Sequence, residues 1–323
     1  MKKFFLIAAA AMGIAVAATP ALSQSLSDRL AAKQQTVKAE LQVACGKLDK
    51  SNCAQVLPRL AEYSVPRGLT IKPIESQGSM ESAQGLCAGL VDGAIGQRDA
   101  FDQAQRLPDC VGKFTTVGKA LYPYYGYFVV RADAPFSTFD DMLSSTPVGK
   151  SRTVAAGKLG SGGQTTMSYI LKGHPEAKRV ISVQNFDEST SLQRIKDGSL
   201  DGYFVMDGPG SDLIENIKTS VDKNGKPLFK FLDLRLGSNF YYGTKGWDGK
   251  PLFQEVALAK YTFSSNVYTI SVDAVMIVSN SFREDAARKG PASVETVGVA
   301  IDSAEASIYG DTKTPRDWRP ASK

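Results

Sequence analysis

Apolar and polar positions change period along the chain, and each period predicts a different element. Leu69-Thr70-Ile71-Lys72-Pro73-Ile74 reads as a strand, and the stretch from about Asn52 to Val65 before it reads as a helix. Tyr127-Phe128-Val129-Val130, Thr153-Val154-Ala155-Ala156 and the long β-rich stretch from Tyr268 to Val278 predict further strands. A linker, Ala132-Asp133-Ala134-Pro135, is followed by a short helix around Thr138 to Leu143, and a helix runs through Met167, Ile170 and Leu171. Glu295 to Ile308 predicts a closing helix and Asp311 to Lys323 a polar tail. Strands alternating with helices place the chain in the α/β class.

Two segments about 109 positions apart read alike. In the first, Ser79 opens a helix through Leu86 and Leu90 into Gly89-Leu90-Val91-Asp92-Gly93, then apolar Ala94-Ile95 and polar Gln97-Arg98-Asp99. In the second, Ser189 opens a helix through Leu192 and Ile195 into Gly198-Ser199-Leu200-Asp201-Gly202, then Tyr203-Phe204-Val205 and polar Asp207-Gly208. Each pattern predicts a serine-capped helix ended by glycine, an Asp-Gly turn and a buried parallel strand whose polar end leaves the sheet. Ligands of open α/β sheets gather at such strand ends. A common helix-to-strand turn would leave the same residues behind by coincidence.

The first residues carry a different signal. Lys2 and Lys3 precede an apolar run from Phe4 to Ala18, and Ala21-Leu22-Ser23 supplies small residues for a signal peptidase, which predicts cleavage before Gln24. The run falls short of the roughly twenty residues that span a bilayer, and no later run reaches that length, so no stable membrane insertion is expected. Losing Lys2 and Lys3 lowers the formal charge from +5 to +3. Basic residues are dispersed, with no cluster beyond pairs such as Lys178-Arg179, which argues against nucleic acid as a partner. An exported chain with cysteines at 45, 53, 87 and 110 favours disulfides, with Cys45 to Cys53 and Cys87 to Cys110 as the sequential choice among three possible pairings. A zinc site lacks a Cys-x-x-Cys pair, and the one histidine, His174, falls in a polar Gly-His-Pro turn.

Candidate chemistry concentrates at three places. The loop Gly160-Ser161-Gly162-Gly163-Gln164-Thr165-Thr166 sits between a strand and a helix, where backbone amides can approach an anion at the positive end of the helix dipole. A tight turn without ligand uses glycine in the same way. It is neither a P-loop nor a dinucleotide motif. Glu75-Ser76-Gln77-Gly78-Ser79 with Gln97-Arg98-Asp99 forms the second set, and Asp207-Gly208-Pro209-Gly210 the third. Arg98 beside Asp99 fits either a ligand carboxylate or a surface or hinge ion pair. Tyrosines between Tyr122 and Tyr127 suit a cleft wall or a half-buried strand. No Gly-x-Ser-x-Gly elbow is present, Ser220-x-x-Lys223 lacks companion motifs, and Asp140-Asp141 read as helix-start charges, so an enzyme is not expected.

The signal peptide, Gly78-Ser79-x-Glu81, Gly93-Ala94-Ile95-x-Gln97-x-Asp99, Leu121-Tyr122-Pro123, Phe139-Asp140-Asp141-Met142, Gly160-Ser161-Gly162 and Gly198-x-Leu200-Asp201-Gly202 together resemble the TAXI family of solute receptors, the extracytoplasmic subunits of tripartite ATP-independent periplasmic (TRAP) transporters. The resemblance covers roughly residues 65 to 280. It implies a two-lobe type II periplasmic-binding-protein fold with a hinge and an interlobe cleft, without a cofactor. Lobe I would comprise 24–132 plus 268–323, and lobe II 133–267. The expected function is a monomeric periplasmic receptor that closes on a small anionic metabolite, an amino acid or dicarboxylate, and passes it to a TRAP-type membrane permease. An orphan sensor or scaffold of the same fold, feeding a signalling partner, is the alternative. The residues expected to hold the ligand are Gln77, Gly78, Ser79, Gln97, Ser161, Gly162, Gln164, Thr165 and Asp207, with Lys47, Arg98 and Tyr122 as secondary candidates.

Overall fold

The computed structural model describes residues 39–49, 52–65, 69–208, 211–258, 267–282 and 284. The expected leader, closing helix and polar tail lie outside them. In chain order come β1 (Ala39–Ala44), a π-helical turn (Asn52–Val56) leading into α1 (Leu57–Ser64), β2 (Leu69–Ile74), α2 (Ser79–Cys87), β3 (Gly93–Gln97), α3 (Arg98–Gln105) and β4 (Phe114–Arg131). Then follow α4 (Phe139–Ser144), β5 (Arg152–Ala155), α5 (Gly162–Gly173), α6 (Pro175–Val180), β6 (Ile181–Gln184), α7 (Glu188–Lys196) and β7 (Gly202–Asp207). The chain continues through α8 (Asp212–Thr219), β8 (Phe229–Phe231), α9 (Gly237–Gly243), β9 (Gln254–Ala257) and β10 (Tyr268–Ser279).

The strands join in one sheet ordered β2-β1-β3-β10-β4-β7-β5-β6, with β8 on β4 and β9 on β10. β1 pairs in parallel with β2 and β3, and β5 in parallel with β6 and β7. Between these triplets β10 and β4 run antiparallel to each other and to their neighbours β3 and β7. Outward from this ribbon the order is β3, β1, β2 on one side and β7, β5, β6 on the other, so the two half-sheets share one connectivity. β4 changes partner at Tyr125, which pairs with both Ser271 of β10 and Asp207 of β7. Ala132–Pro135 follows the end of that strand.

The repeated motif does the same work in both halves. Asp92 donates its N–H to Gln42 O at 2.9 Å, and its Oδ2 accepts the Gln42 N–H at 3.1 Å. Asp201 donates to Thr153 O at 2.8 Å and accepts the Thr153 N–H at 2.8 Å. Each aspartate thus clasps the neighbouring parallel strand in both directions. Gly89 and Gly198 hold φ of +74° and +77° just past α2 and α7, where a left-handed residue lets the chain leave the helix. The likeness is therefore a structural repeat. The serine caps are a correction: Gly78 and Asp187 occupy the N-caps, and Asp187 accepts from Thr190 N–H at 2.9 Å. Ser79 is already helical, and its Oγ is taken by the Gln97 N–H at 3.1 Å.

Local chemistry sets other boundaries. Thr138 Oγ1 accepts the Asp141 N–H at 3.0 Å and Asp141 Oδ2 accepts the Thr138 N–H at 3.2 Å, a reciprocal cap for α4. These bonds hold the Asp141 carboxyl below the usual range. His174 caps α6 through Nδ1, which accepts from Ala177 N–H at 3.4 Å. The disulfides are Cys45–Cys53 and Cys87–Cys110, the sequential pairing. One apolar core runs from Leu41 and Val43 of β1 through Phe128 of β4 to Phe204 and Met206 of β7, so both half-sheets share packing as well as backbone bonds. Among the described residues no helix is long and apolar enough to cross a membrane.

Candidate ligand-binding site

The C-terminal ends of the parallel strands carry the loops that ligands meet in such sheets. Here they surround a cavity of about 180 Å³. The end of β1 contributes Cys45, Gly46 and Lys47, and the Cys45–Cys53 bridge folds Asn52 back beside them. β2 leads into Gln77, Gly78 and Ser79, and β3 adds Ile95 and Gln97. From the other half-sheet come Ser161 and Gly162 after β5, and Met206 and Asp207 of β7, while Tyr124 of β4 lies between.

Two helices begin at this cavity from opposite half-sheets. Their first amides have no intrahelical acceptor and form the positive end of each helix dipole, which suits an anionic ligand group. Ser161 Oγ caps α5 by accepting the Gln164 N–H at 3.3 Å. The loops are in contact: Met80 N–H donates to Gly160 O at 3.2 Å. A Cβ on Gly78 would stand 2.8 Å from Gly160 O and 3.0 Å from Ser161 Cα, so only glycine permits this approach.

Charge and hydrogen bonding around the cavity are mixed. Lys47 is exposed and Asp207 half-buried, giving the site one cation and one carboxylate. Tyr122 donates to Asn52 Oδ1, Asn52 Nδ2 donates to the Tyr124 hydroxyl at 2.8 Å, and the two hydroxyls stand 2.8 Å apart. Burial, with the Asp207 charge adding, pushes the Tyr124 hydroxyl up to about 12, so it stays protonated. Gln97 is 2% exposed, and among the described residues neither its Nε2 nor its Oε1 has a partner. Buried amides are normally satisfied, so this one is the site's chief anomaly.

Just beyond Gln97, α3 packs on α5 through acidic groups. Thr166 Oγ1 donates to Asp99 Oδ2 at 2.5 Å, and burial pushes the Asp99 carboxyl up to about 7. Asp102 is held by Arg106 at 2.7 Å, the Tyr169 hydroxyl at 2.7 Å and the Trp247 N–H at 2.6 Å. These bonds join the two sides of the cavity outside its lining.

The NMT1-like family matches this chain over residues 57–289, most of its length. The chain belongs to the NMT1-like family. Among solved structures, the alkanesulfonate-binding protein SsuA from Xanthomonas axonopodis pv. citri, bound to MOPS, is similar with a TM-score of 0.51 and 15% identity, covering 84% of this chain and 74% of that one. The periplasmic aliphatic sulphonate binding protein SsuA from Escherichia coli gives 0.50 and 12%, over 83% and 73%. The GluR0 ligand-binding core in complex with L-glutamate gives 0.50 and 9%, over 83% and 93%. These likenesses show the fold, the two-lobe periplasmic-binding-protein architecture that the sequence leads one to expect.

In this NMT1-like chain the residues singled out from sequence divide cleanly. Gln77, Gly78, Ser79, Gln97, Ser161, Gly162 and Asp207 line the cavity together with Lys47. The remaining four are not among its lining residues. Gln164 Oε1 accepts the Gly160 N–H at 3.1 Å and so braces the loop from behind. Thr165 is buried and bonds back to Ser161 O at 3.2 Å within its own helix. Arg98 turns to Asp248 at 2.6 Å and Pro251 O at 3.4 Å, the ion-pair alternative. Tyr122 lies beneath Asn52 and Tyr124, its hydroxyl already engaged. Gly46, Asn52, Ile95 and Met206 line the cavity as well and were not among the sequence candidates. Asn52 carried one usable signal, its place next to Cys53.

Proposed function

We propose that this chain is an extracytoplasmic solute receptor. It captures a small anionic metabolite, an amino acid or dicarboxylate, in the cavity and delivers it to a membrane permease of the TRAP type. The observation that carries this reading is the convergence of two helix N-termini, from opposite half-sheets, on one cavity that also holds Lys47 and a buried Gln97 whose amide has no partner among the described residues. The lobes are 24–132 plus 268–323 and 133–267, and the hinge lies where the chain passes between them, near Ala132 to Pro135 and around Tyr268. Ligand contacts from both lobes favour the closed arrangement by their differential affinity for it. The leader 1–23 sends the chain to the periplasm, where it works as a monomer. The sulfonates and glutamate named for the neighbours mark the breadth of small polar solutes this architecture accommodates.

The test is a thermal-shift screen of the chain from Gln24 onward, refolded from denaturant to strip carried-over ligand. A ligand at about 1,000 times its dissociation constant adds roughly 4 kcal/mol, a shift of several degrees. A shift with amino acids or dicarboxylates supports the reading. A cooperatively folding protein silent to amino acids, dicarboxylates, sulfonates and phosphonates refutes it.

A further inference from the structure

We propose that Gln97 reads a carboxamide edge, so that the cavity selects a solute bearing a primary carboxamide over the same solute bearing a carboxylate. This rests on the receptor reading and names the ligand class within it. The Gln97 amide forms part of the cavity wall with a free donor and a free acceptor among the described residues. Its place depends on Gly162: a Cβ there would fall 1.4 Å from Oε1 and 2.4 Å from Cδ. The backbone is fixed too, since Gln97 N–H donates to Ser79 Oγ at 3.1 Å and a Cβ on neighbouring Gly96 would come within 2.7 Å of that oxygen. The amide is therefore held at the start of α5 with no partner among the described residues.

A buried amide needs both an acceptor and a donor from whatever fills the cavity. An ionised carboxylate supplies acceptors only. It would satisfy Nε2 while setting its negative charge against Oε1. A carboxamide supplies N–H and C=O side by side and pairs with both atoms in a two-bond ring. The positive ends of the two helices and Lys47 suit an acidic group elsewhere on the solute, and the Asp207 carboxylate lines the same cavity. Sites built to hydrogen-bond a ligand group discriminate strongly against analogues that leave buried groups unpaired.

The experiment is isothermal titration of the refolded chain with three matched pairs: glutamine and glutamate, asparagine and aspartate, succinamate and succinate. The amide member of at least one pair is expected to bind about 10- to 100-fold more tightly than its carboxylate twin. Gln97→Leu should erase that ratio. Equal binding, or tighter binding of the carboxylate, in the unmutated protein overturns the proposal without reliance on any variant. Silence toward all six also overturns it. In that case, binding of a sulfonate or phosphonate leaves the receptor reading standing, and silence toward those too removes both.

Discussion

Replacing Gly78 by alanine tests whether the two helix starts meet because the cleft closes. The added Cβ would sit 2.8 Å from Gly160 O and 3.0 Å from Ser161 Cα, and both neighbours are backbone, so no side chain can turn aside. Restoring an ordinary contact of about 3.4 Å requires the loops to part by roughly 0.6 Å. The same movement stretches the Met80 to Gly160 hydrogen bond from 3.2 Å to about 3.8 Å, beyond useful range. Overpacking of this kind costs about 1–3 kcal/mol. Because the contact joins opposite sides of the cavity, the cost should fall on the liganded, closed state and weaken binding by about 5- to 150-fold. Titration calorimetry gives the affinity, and thermal unfolding of the ligand-free protein gives the stability. Gly243→Ala, where a Cβ meets nothing within 4 Å, is the control and should leave both unchanged. Unchanged affinity in Gly78→Ala, or a loss of ligand-free stability with affinity intact, would refute a closure-specific contact.

Other outcomes follow from burial and cross-links. Asp99 holds its proton up to about pH 7 when folded, against an ordinary carboxyl value of 3.8 when unfolded. The folded chain therefore binds more protons between about pH 4 and 7, and stability should fall as pH rises through that window and level off above it. Asp99→Asn cannot ionise and should flatten this slope; melting curves from pH 4 to 8 that stay parallel for the two proteins would contradict the assignment. Removing Cys87–Cys110, which closes a separation of 23, should cost about 3.4 kcal/mol and leave affinity unchanged. Removing Cys45–Cys53, with a separation of 8, should cost only about 2.5 kcal/mol yet weaken binding, because that bridge positions Cys45 and Asn52 at the cavity. Denaturant titration paired with calorimetry separates the two effects, and equal affinity losses in both variants would show that neither bridge shapes the site specifically.

Features that depend on local backbone chemistry were legible in the sequence. Glycine after a helix and Asp-Gly before a strand announced both copies of the repeat, and the loop Gly160 to Thr166 announced a helix start. What escaped depended on which partner a polar group finds in three dimensions. Ser79 reads as a cap, yet its hydroxyl is taken by the Gln97 amide from an adjoining strand. Gln164 and Thr165 have the right polarity, but position after the cap turns their polar atoms into the loop and the helix itself. Tyr122 and Tyr124 share a strand face, and Asn52, brought in by a disulfide, closes over the first while leaving the second at the cavity. Arg98 found its counter-charge 150 positions away, at Asp248, a distance that no local pattern encodes.

The Asp92 and Asp201 clasps bear on how such a receptor can change its ligand. Parallel strands have no hairpin turn to pin their register, and here a two-way clasp, one bond from the aspartate N–H and one to its carboxylate, does it at the entrance to β3 and β7. With a rise of about 3.3 Å per residue, those anchors stand some 15–20 Å from Gln97 and Asp207 at the far ends of the same strands. The residues that hold alignment and the residues that line the cavity thus occupy opposite rims of the sheet. Substitutions at the ligand rim can retune recognition without loosening the scaffold that aims it, which makes the cleft a surface on which new specificities can be grafted one loop at a time.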